Sequence, residues 1–77
     1  MTKLPITTAQ RMEKVLRLLG FSVVRQKDSH VFYRHLDGRT TTVPHHPGRD
    51  LARPLVRAIL REVDLSPEEF AELLRNL

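Results

Sequence analysis

Apolar residues recur at helical spacing near the start of the chain. The positions are Ala9, Met12, Val15, Leu16 and Leu19. Thr7 and Gln10 match a capping box, with Thr7 as the N-cap and Gln10 three residues into the helix. Gly20 follows the last apolar position, where a residue with positive φ commonly ends a helix. The pattern predicts a first helix over residues 8–19.

Two more amphipathic helices are predicted near the other end of the chain. The apolar stripe of the first consists of Leu55, Val56, Ile59, Leu60 and Val63. Pro54 suits the first turn of this helix, because an N–H there lacks an intrahelical acceptor. Ser66 and Glu69 form a second capping box with Pro67 at the first helical position, which predicts a short third helix.

Three segments between these helices have the composition of β-strands. They are residues 21–25, 30–36 and 39–43. A polar turn over residues 26–29 separates the first two, and Asp37-Gly38 is a two-residue hairpin signal between the second and the third. Pro44 ends the last strand. Short connections of this kind predict a three-stranded antiparallel meander.

The predicted order α-β-β-β-α-α indicates an α+β fold with the helices packed on one face of the sheet. Residues 1–77 are enough for a single domain. The second strand has apolar residues on both faces, Phe32 and Leu36 on one and Val31 and Tyr33 on the other. Either the uncovered face exposes an apolar surface, which often marks a binding site, or a twisted strand end buries one of these side chains.

Charge narrows the class of partner. Thirteen Lys and Arg stand against nine Asp and Glu, and residues 1–61 hold twelve of the basic and four of the acidic residues. A basic body suggests a polyanionic partner, with nucleic acid first. The alternative is a soluble basic domain, since net charge also serves solubility.

Composition also limits the environment. The chain has no cysteine, which excludes disulfides and Cys-based zinc sites and fits a reducing cytosol. No apolar run has membrane-spanning length, and the first residues lack the apolar stretch of a signal peptide. We therefore expect a cytoplasmic protein without a membrane partner.

Four histidines are candidates for chemistry, and His30 is placed best among them. Ser29-His30 lies where a turn enters a strand, close to Lys27 and Arg25. Histidine transfers protons near neutral pH, and RNA cleavage needs one group to deprotonate the ribose 2′-hydroxyl and another to protonate the leaving oxygen. From spacing alone, an ordinary surface histidine is the alternative.

The remaining histidines carry less information. Adjacent His45 and His46 point to opposite sides of an extended chain, and no neighbouring acidic residue or cysteine completes a zinc ligand set. We expect no metal site, and interpret the pair as a loop cap or a partner contact. His35 is interpreted as an exposed strand residue.

The second helix carries a basic stripe at Arg53, Arg57 and Arg61. A stripe of one sign favours phosphate contact, because acidic partners at the same spacing would have stabilised the helix more. The alternative is a solvated helix face.

Three blocks of sequence, in order, resemble the HicA toxin family, also called YcfA-like. They are Gly20-Phe21 with the VRQKDSH segment of residues 24–30, the DGR and TVPHH segments of residues 37–39 and 42–46, and the AIL and DLSPEEF segments of residues 58–60 and 64–70. The resemblance implies a double-stranded-RNA-binding-domain-like fold. It also implies metal-independent cleavage of messenger RNA and inhibition by a HicB-type antitoxin that covers the active site.

The family's catalytic histidine follows the serine and corresponds to His30. We expect supporting or RNA-binding roles for Lys27, Ser29, Arg25, Arg53 and Arg57.

Two positions depart from the family pattern. Asp28 stands where the family usually has glycine, and its carboxylate either supports a charged imidazole at His30 or repels RNA. Val31 stands where the family has a second histidine. Three functions are alternatives to a ribonuclease. They are a non-catalytic RNA-binding module of the same fold, an inactive toxin homologue, and an interaction protein whose exposed sheet serves only to bind a partner.

Overall fold

The computed structural model describes residues 3–77. Its elements are α1 (Ala9–Leu18), β1 (Ser22–Lys27), β2 (His30–Arg34), β3 (Thr40–Pro44), α2 (Arg53–Val63) and α3 (Pro67–Arg75). The strands form one antiparallel sheet in the order β1-β2-β3. This arrangement confirms the predicted α+β fold and its element order.

The helices cover one face of the sheet. Val31 and Tyr33 of β2 and Val43 of β3 point into the core, each at most 5% exposed. Val31 and Tyr33 share this face because residues two apart on a strand point to the same side. The apolar stripes of α1 and α2 pack over them. The Thr41 hydroxyl donates to Glu62 Oε1 at 2.8 Å and links β3 to α2.

The other face of the sheet is left open by the helices. His30 and Arg34 are exposed on it, and Phe32 is half-buried between them. The expectation that Leu36 extends this row is wrong, because β2 ends at Arg34. Leu36 lies in the following loop, fully exposed to solvent.

The start of α1 differs from the prediction by one residue. Thr8, not Thr7, is the N-cap, and its Oγ1 accepts a hydrogen bond from the Arg11 N–H at 3.3 Å. Gln10 therefore forms no capping box with Thr7. Thr7 is buried instead, and its carbonyl accepts from the Leu51 N–H at 2.8 Å, which ties the loop before α2 to the chain before α1.

The two hairpins also differ from their predicted lengths. Residues 28–29 alone form the first turn, because β1 continues to Lys27. The second connection is longer than the predicted two residues, because β2 ends at Arg34 and β3 begins at Thr40. Within it the His35 N–H donates to the Arg39 carbonyl and the Gly38 N–H to the His35 carbonyl, with Gly38 at φ +100°. Strand β3 includes Pro44, which an edge strand tolerates.

The C-terminal helices follow their sequence signals. Pro54 lies in the first turn of α2. In the capping box of α3, Ser66 Oγ accepts from the Glu69 N–H and Glu69 Oε1 accepts from the Ser66 N–H, both at 3.1 Å. Phe70 anchors α3 in the core. Within residues 3–77 no helix has the length and apolarity needed to cross a membrane.

Candidate active site

His30 opens β2 on the uncovered face of the sheet. Its cross-strand neighbours are Lys27 on β1 and Pro44 on β3. The side chain is exposed, and no hydrogen bond or ion pair holds it among residues 3–77. The imidazole therefore stands open to a ligand at the end of a rigid strand, next to a lysine.

A β-bulge in β1 decides which side chains join His30 on this face. The register shifts between Val23 and Arg25, so that Val24 is the extra residue. Without the shift, Val24 would lie opposite Phe32; with it, Arg25 takes that place. The Arg25 guanidinium lies 4.5 Å from the centre of the Phe32 ring. Bulges re-aim side chains in this way next to functional sites.

A polar network lies on the opposite, covered side of the same end of the sheet. The Tyr33 hydroxyl donates to Glu13 Oε1 at 2.5 Å and lies 2.9 Å from His45 Nε2. Because the single hydroxyl proton goes to the carboxylate, His45 Nε2 donates to the tyrosine oxygen. Arg17 pairs with Glu13 at 3.6 Å.

This network also reaches the turn that precedes His30. The His45 N–H donates to the Ser29 carbonyl at 2.7 Å. Helix α1, strand β2 and the loop after β3 are thus joined through Tyr33 and His45 to the residue that precedes His30. Sequence analysis missed this role of His45; the available signal was Tyr33 on the same strand face as Val31, since a buried hydroxyl needs partners.

Comparison with known families assigns the chain to one of them. A family profile described as "HicA toxin of bacterial toxin-antitoxin" matches residues 9–65, from the start of α1 to just beyond α2. The chain belongs to the HicA toxin family. No curated protein matches it. Membership confirms the resemblance found in the sequence and makes the chain a toxin of the bacterial toxin–antitoxin class.

The site residues predicted for this HicA toxin separate into two groups. Lys27 and Arg25 share the uncovered sheet face with His30, and Ser29 lies in the adjoining turn. Arg53 and Arg57 lie on α2, which packs against the other face of the sheet. They are not brought together with His30.

Arg53 has a structural contact of its own. Its Nε donates to the Leu4 carbonyl at 3.1 Å and holds the segment before α1 against the start of α2. Arg57 is exposed and lines a shallow groove with Leu60, Arg61 and Leu65. Of these two arginines, Arg57 is the one whose charge is open to solvent.

The two departures from the HicA pattern have different structural meanings. Asp28 has φ +55°, the left-handed conformation that glycine adopts without strain. Aspartate adopts this conformation more readily than most residues, so the turn keeps its shape. Val31 is buried in the core on the covered face. A residue at this position points away from the His30 face.

Metal ligands do not gather in the described part of the chain. No group of three or more His, Asp and Glu side chains in residues 3–77 is arranged to hold an ion. His45 is bonded to Tyr33, and its neighbour His46 is exposed. His35 is half-buried rather than exposed, and packs edge-on against Phe21 with ring centres 5.2 Å apart.

We expect the Tyr33 network to make the free energy of unfolding fall at alkaline pH. Burial first, and then the hydrogen bond to Glu13, raise the pKa of Tyr33 far above its ordinary value. Above about pH 10 an unfolded tyrosine has lost its proton while the native one keeps it, so the free energy of unfolding falls as pH rises. The loss from this group is up to about 1.4 kcal/mol per pH unit. Urea unfolding at a series of pH values above about 10 should show this fall in the free energy of unfolding. The Tyr33→Phe protein should not show it.

The control for this prediction is direct, because Tyr33 is the single tyrosine of the chain. Its ionisation can be followed by ultraviolet absorbance in the folded protein. A transition near the ordinary tyrosine pKa, with the protein still folded, would contradict the network.

Proposed function

We propose that this HicA toxin is an endoribonuclease that cleaves cytoplasmic messenger RNA, with His30 as its catalytic residue and without a metal cofactor. The observation that carries the proposal is the exposed, unbonded imidazole of His30 beside Lys27 and Arg25. Membership of a toxin family supports it. The basic neighbours supply the charge that an RNA backbone requires.

The chemistry follows from the groups on this face. The ribose 2′-hydroxyl gives up its proton to a base and its oxygen attacks the adjacent phosphorus, and the bond from phosphorus to the 5′-oxygen breaks. The products are a 2′,3′-cyclic phosphate and a free 5′-hydroxyl, which takes a proton. His30 performs one of the two proton transfers, and Lys27 and Arg25 stabilise the extra negative charge of the transition state.

The test is cleavage of single-stranded RNA by the purified protein in the presence of EDTA. We expect fragments that end in a cyclic phosphate, and no cleavage of DNA with the same sequence, because DNA lacks the nucleophile. Activity that requires magnesium, or cleavage of DNA, would contradict the mechanism. RNA that is bound but left intact would favour the non-catalytic RNA-binding module instead.

We further propose that a HicB-type antitoxin inhibits the toxin by covering the uncovered sheet face. Phe32 offers apolar surface there, while Lys27, Arg25 and Arg34 give the face positive charge. An antitoxin with acidic and apolar side chains matches both features, since complementary charge speeds and orients association.

Antitoxin and RNA should therefore exclude each other. We expect the antitoxin encoded beside the toxin gene to raise the apparent Kd for RNA in proportion to its concentration, and to protect His30 from chemical modification. A ternary complex with full RNA affinity and a reactive His30 would refute this mode of inhibition.

A further inference from the structure

The uncovered sheet face holds one aromatic side chain, and it lies next to the candidate catalytic group. The chain has four Phe and Tyr residues. Three of them, Phe21, Tyr33 and Phe70, are buried at 3% exposure or less. Phe32 is the exception, half-buried on the same face of β2 as His30. Core packing therefore does not account for an aromatic residue at this position.

The ring of Phe32 is already half of a cation–π pair. The Arg25 guanidinium lies over it, and no ion pair engages Arg25 among residues 3–77. A guanidinium is flat and stacks on aromatic rings and on nucleobases alike. Thr42 lies opposite Phe32 on β3 and borders the pair on its other side. Together Arg25 and Phe32 form a positively charged platform on the uncovered sheet face.

The platform lies close to His30, because Phe32 is two residues after His30 on β2. Two residues along a strand span about 7 Å. That is comparable to the distance between a nucleobase and the phosphate of its own nucleotide. Bases of single-stranded RNA are free to splay out and stack on aromatic or guanidinium planes, whereas those of a duplex are not.

We propose that Arg25 and Phe32 form a base-stacking subsite for the nucleotide beside the scissile phosphate of single-stranded RNA. The inference rests on the proposed ribonuclease function. By stacking that base, the subsite would hold the adjoining ribose and phosphate next to His30. The bulge at Val24 is then what builds the subsite, because it brings Arg25 rather than a valine over the ring.

The subsite can be tested by binding alone. The probe is a short single-stranded RNA with 2′-O-methyl groups, which block cleavage, and with 2-aminopurine as the base beside the blocked phosphate. Stacking quenches the fluorescence of this base. We expect quenching by the wild-type protein and its loss with Phe32→Leu, which keeps an apolar side chain. Leu36→Ala, which changes an exposed apolar side chain in the loop beyond β2, is the control and should quench like wild type.

A second probe lacks that base altogether. Removing the base should weaken binding to the wild type by roughly five- to 150-fold, the range expected of one stacked base. Phe32→Leu should bind the abasic and complete probes almost equally, because it has already lost the contact. Arg25→Lys keeps the positive charge but loses the planar guanidinium. Its loss of affinity for the abasic probe should lie between those of the wild type and Phe32→Leu.

The outcomes distinguish failure of the stacking subsite from failure of the proposed ribonuclease function. Equal quenching in the wild type and Phe32→Leu, or the same penalty for the abasic probe in both, overturns the subsite even if the toxin cleaves RNA. Loss of quenching and of the penalty in Phe32→Leu supports the subsite even if no cleavage is found.

Discussion

His30→Ala should cleave RNA about 10²–10⁴-fold more slowly than the wild type, the contribution that a positioned acid–base group typically makes. The fold should not change. His30 is exposed, makes no side-chain hydrogen bond within residues 3–77 and fills no part of the core. Substitutions at such positions usually alter stability by less than about 0.5 kcal/mol. The measurement is the cleavage rate at saturating RNA, with urea unfolding in parallel.

His35→Gln is the matched control, since His35 lies beyond the opposite end of β2. It should cleave RNA at the wild-type rate. A His30→Ala protein that retains full activity would remove His30 from the mechanism. Equal loss of activity in both variants would indicate a general structural effect rather than chemistry at His30.

Phe70→Ala should unfold much of the protein. Phe70 is completely buried in the core, and the bond from Arg11 Nη2 to the Leu74 carbonyl also joins α3 to α1. Removing a buried phenyl group costs about 3–5 kcal/mol. A chain of this length has only about 4–12 kcal/mol of stability in total. Urea unfolding should show a midpoint shifted to far lower concentration, or no folded baseline.

Leu36→Ala is the control for this experiment, because Leu36 is fully exposed. Its unfolding should match that of the wild type. The HicA family match ends at residue 65, before α3 begins. If Phe70→Ala were as stable as Leu36→Ala, α3 would be an appendage rather than part of the toxin's core.

Most of the fold was predictable because its signals are local. The spacing of apolar residues and the capping box of Ser66 and Glu69 operate within single helices, and the structure confirms them. The N-cap of α1 was not predictable in the same way, since Thr7 and Thr8 are chemically equivalent. In the structure Thr8 is the N-cap, and the Thr7 carbonyl accepts a hydrogen bond from the N–H of Leu51, which is distant in sequence.

The site depended on contacts between elements, which sequence patterns do not contain. His30 was predicted from its place beside a turn and from the family resemblance. The pairing of Arg25 with Phe32 follows from the bulge at Val24, a property of the β1–β2 register. The bond from His45 to Tyr33 joins residues of a loop and a strand, which no periodicity predicts.

Strand β1 is an edge of the sheet and is exposed along its whole length. An edge strand carries unpaired backbone donors and acceptors, and a regular one is a template for another chain. Here the extra residue Val24 interrupts the regular ladder, and Arg25 and Lys27 place charge on either side of Gln26. Bulges and charged edge residues both discourage strand addition. The irregularity that aims Arg25 at Phe32 thus also protects the toxin against edge-to-edge aggregation while its basic face is uncovered.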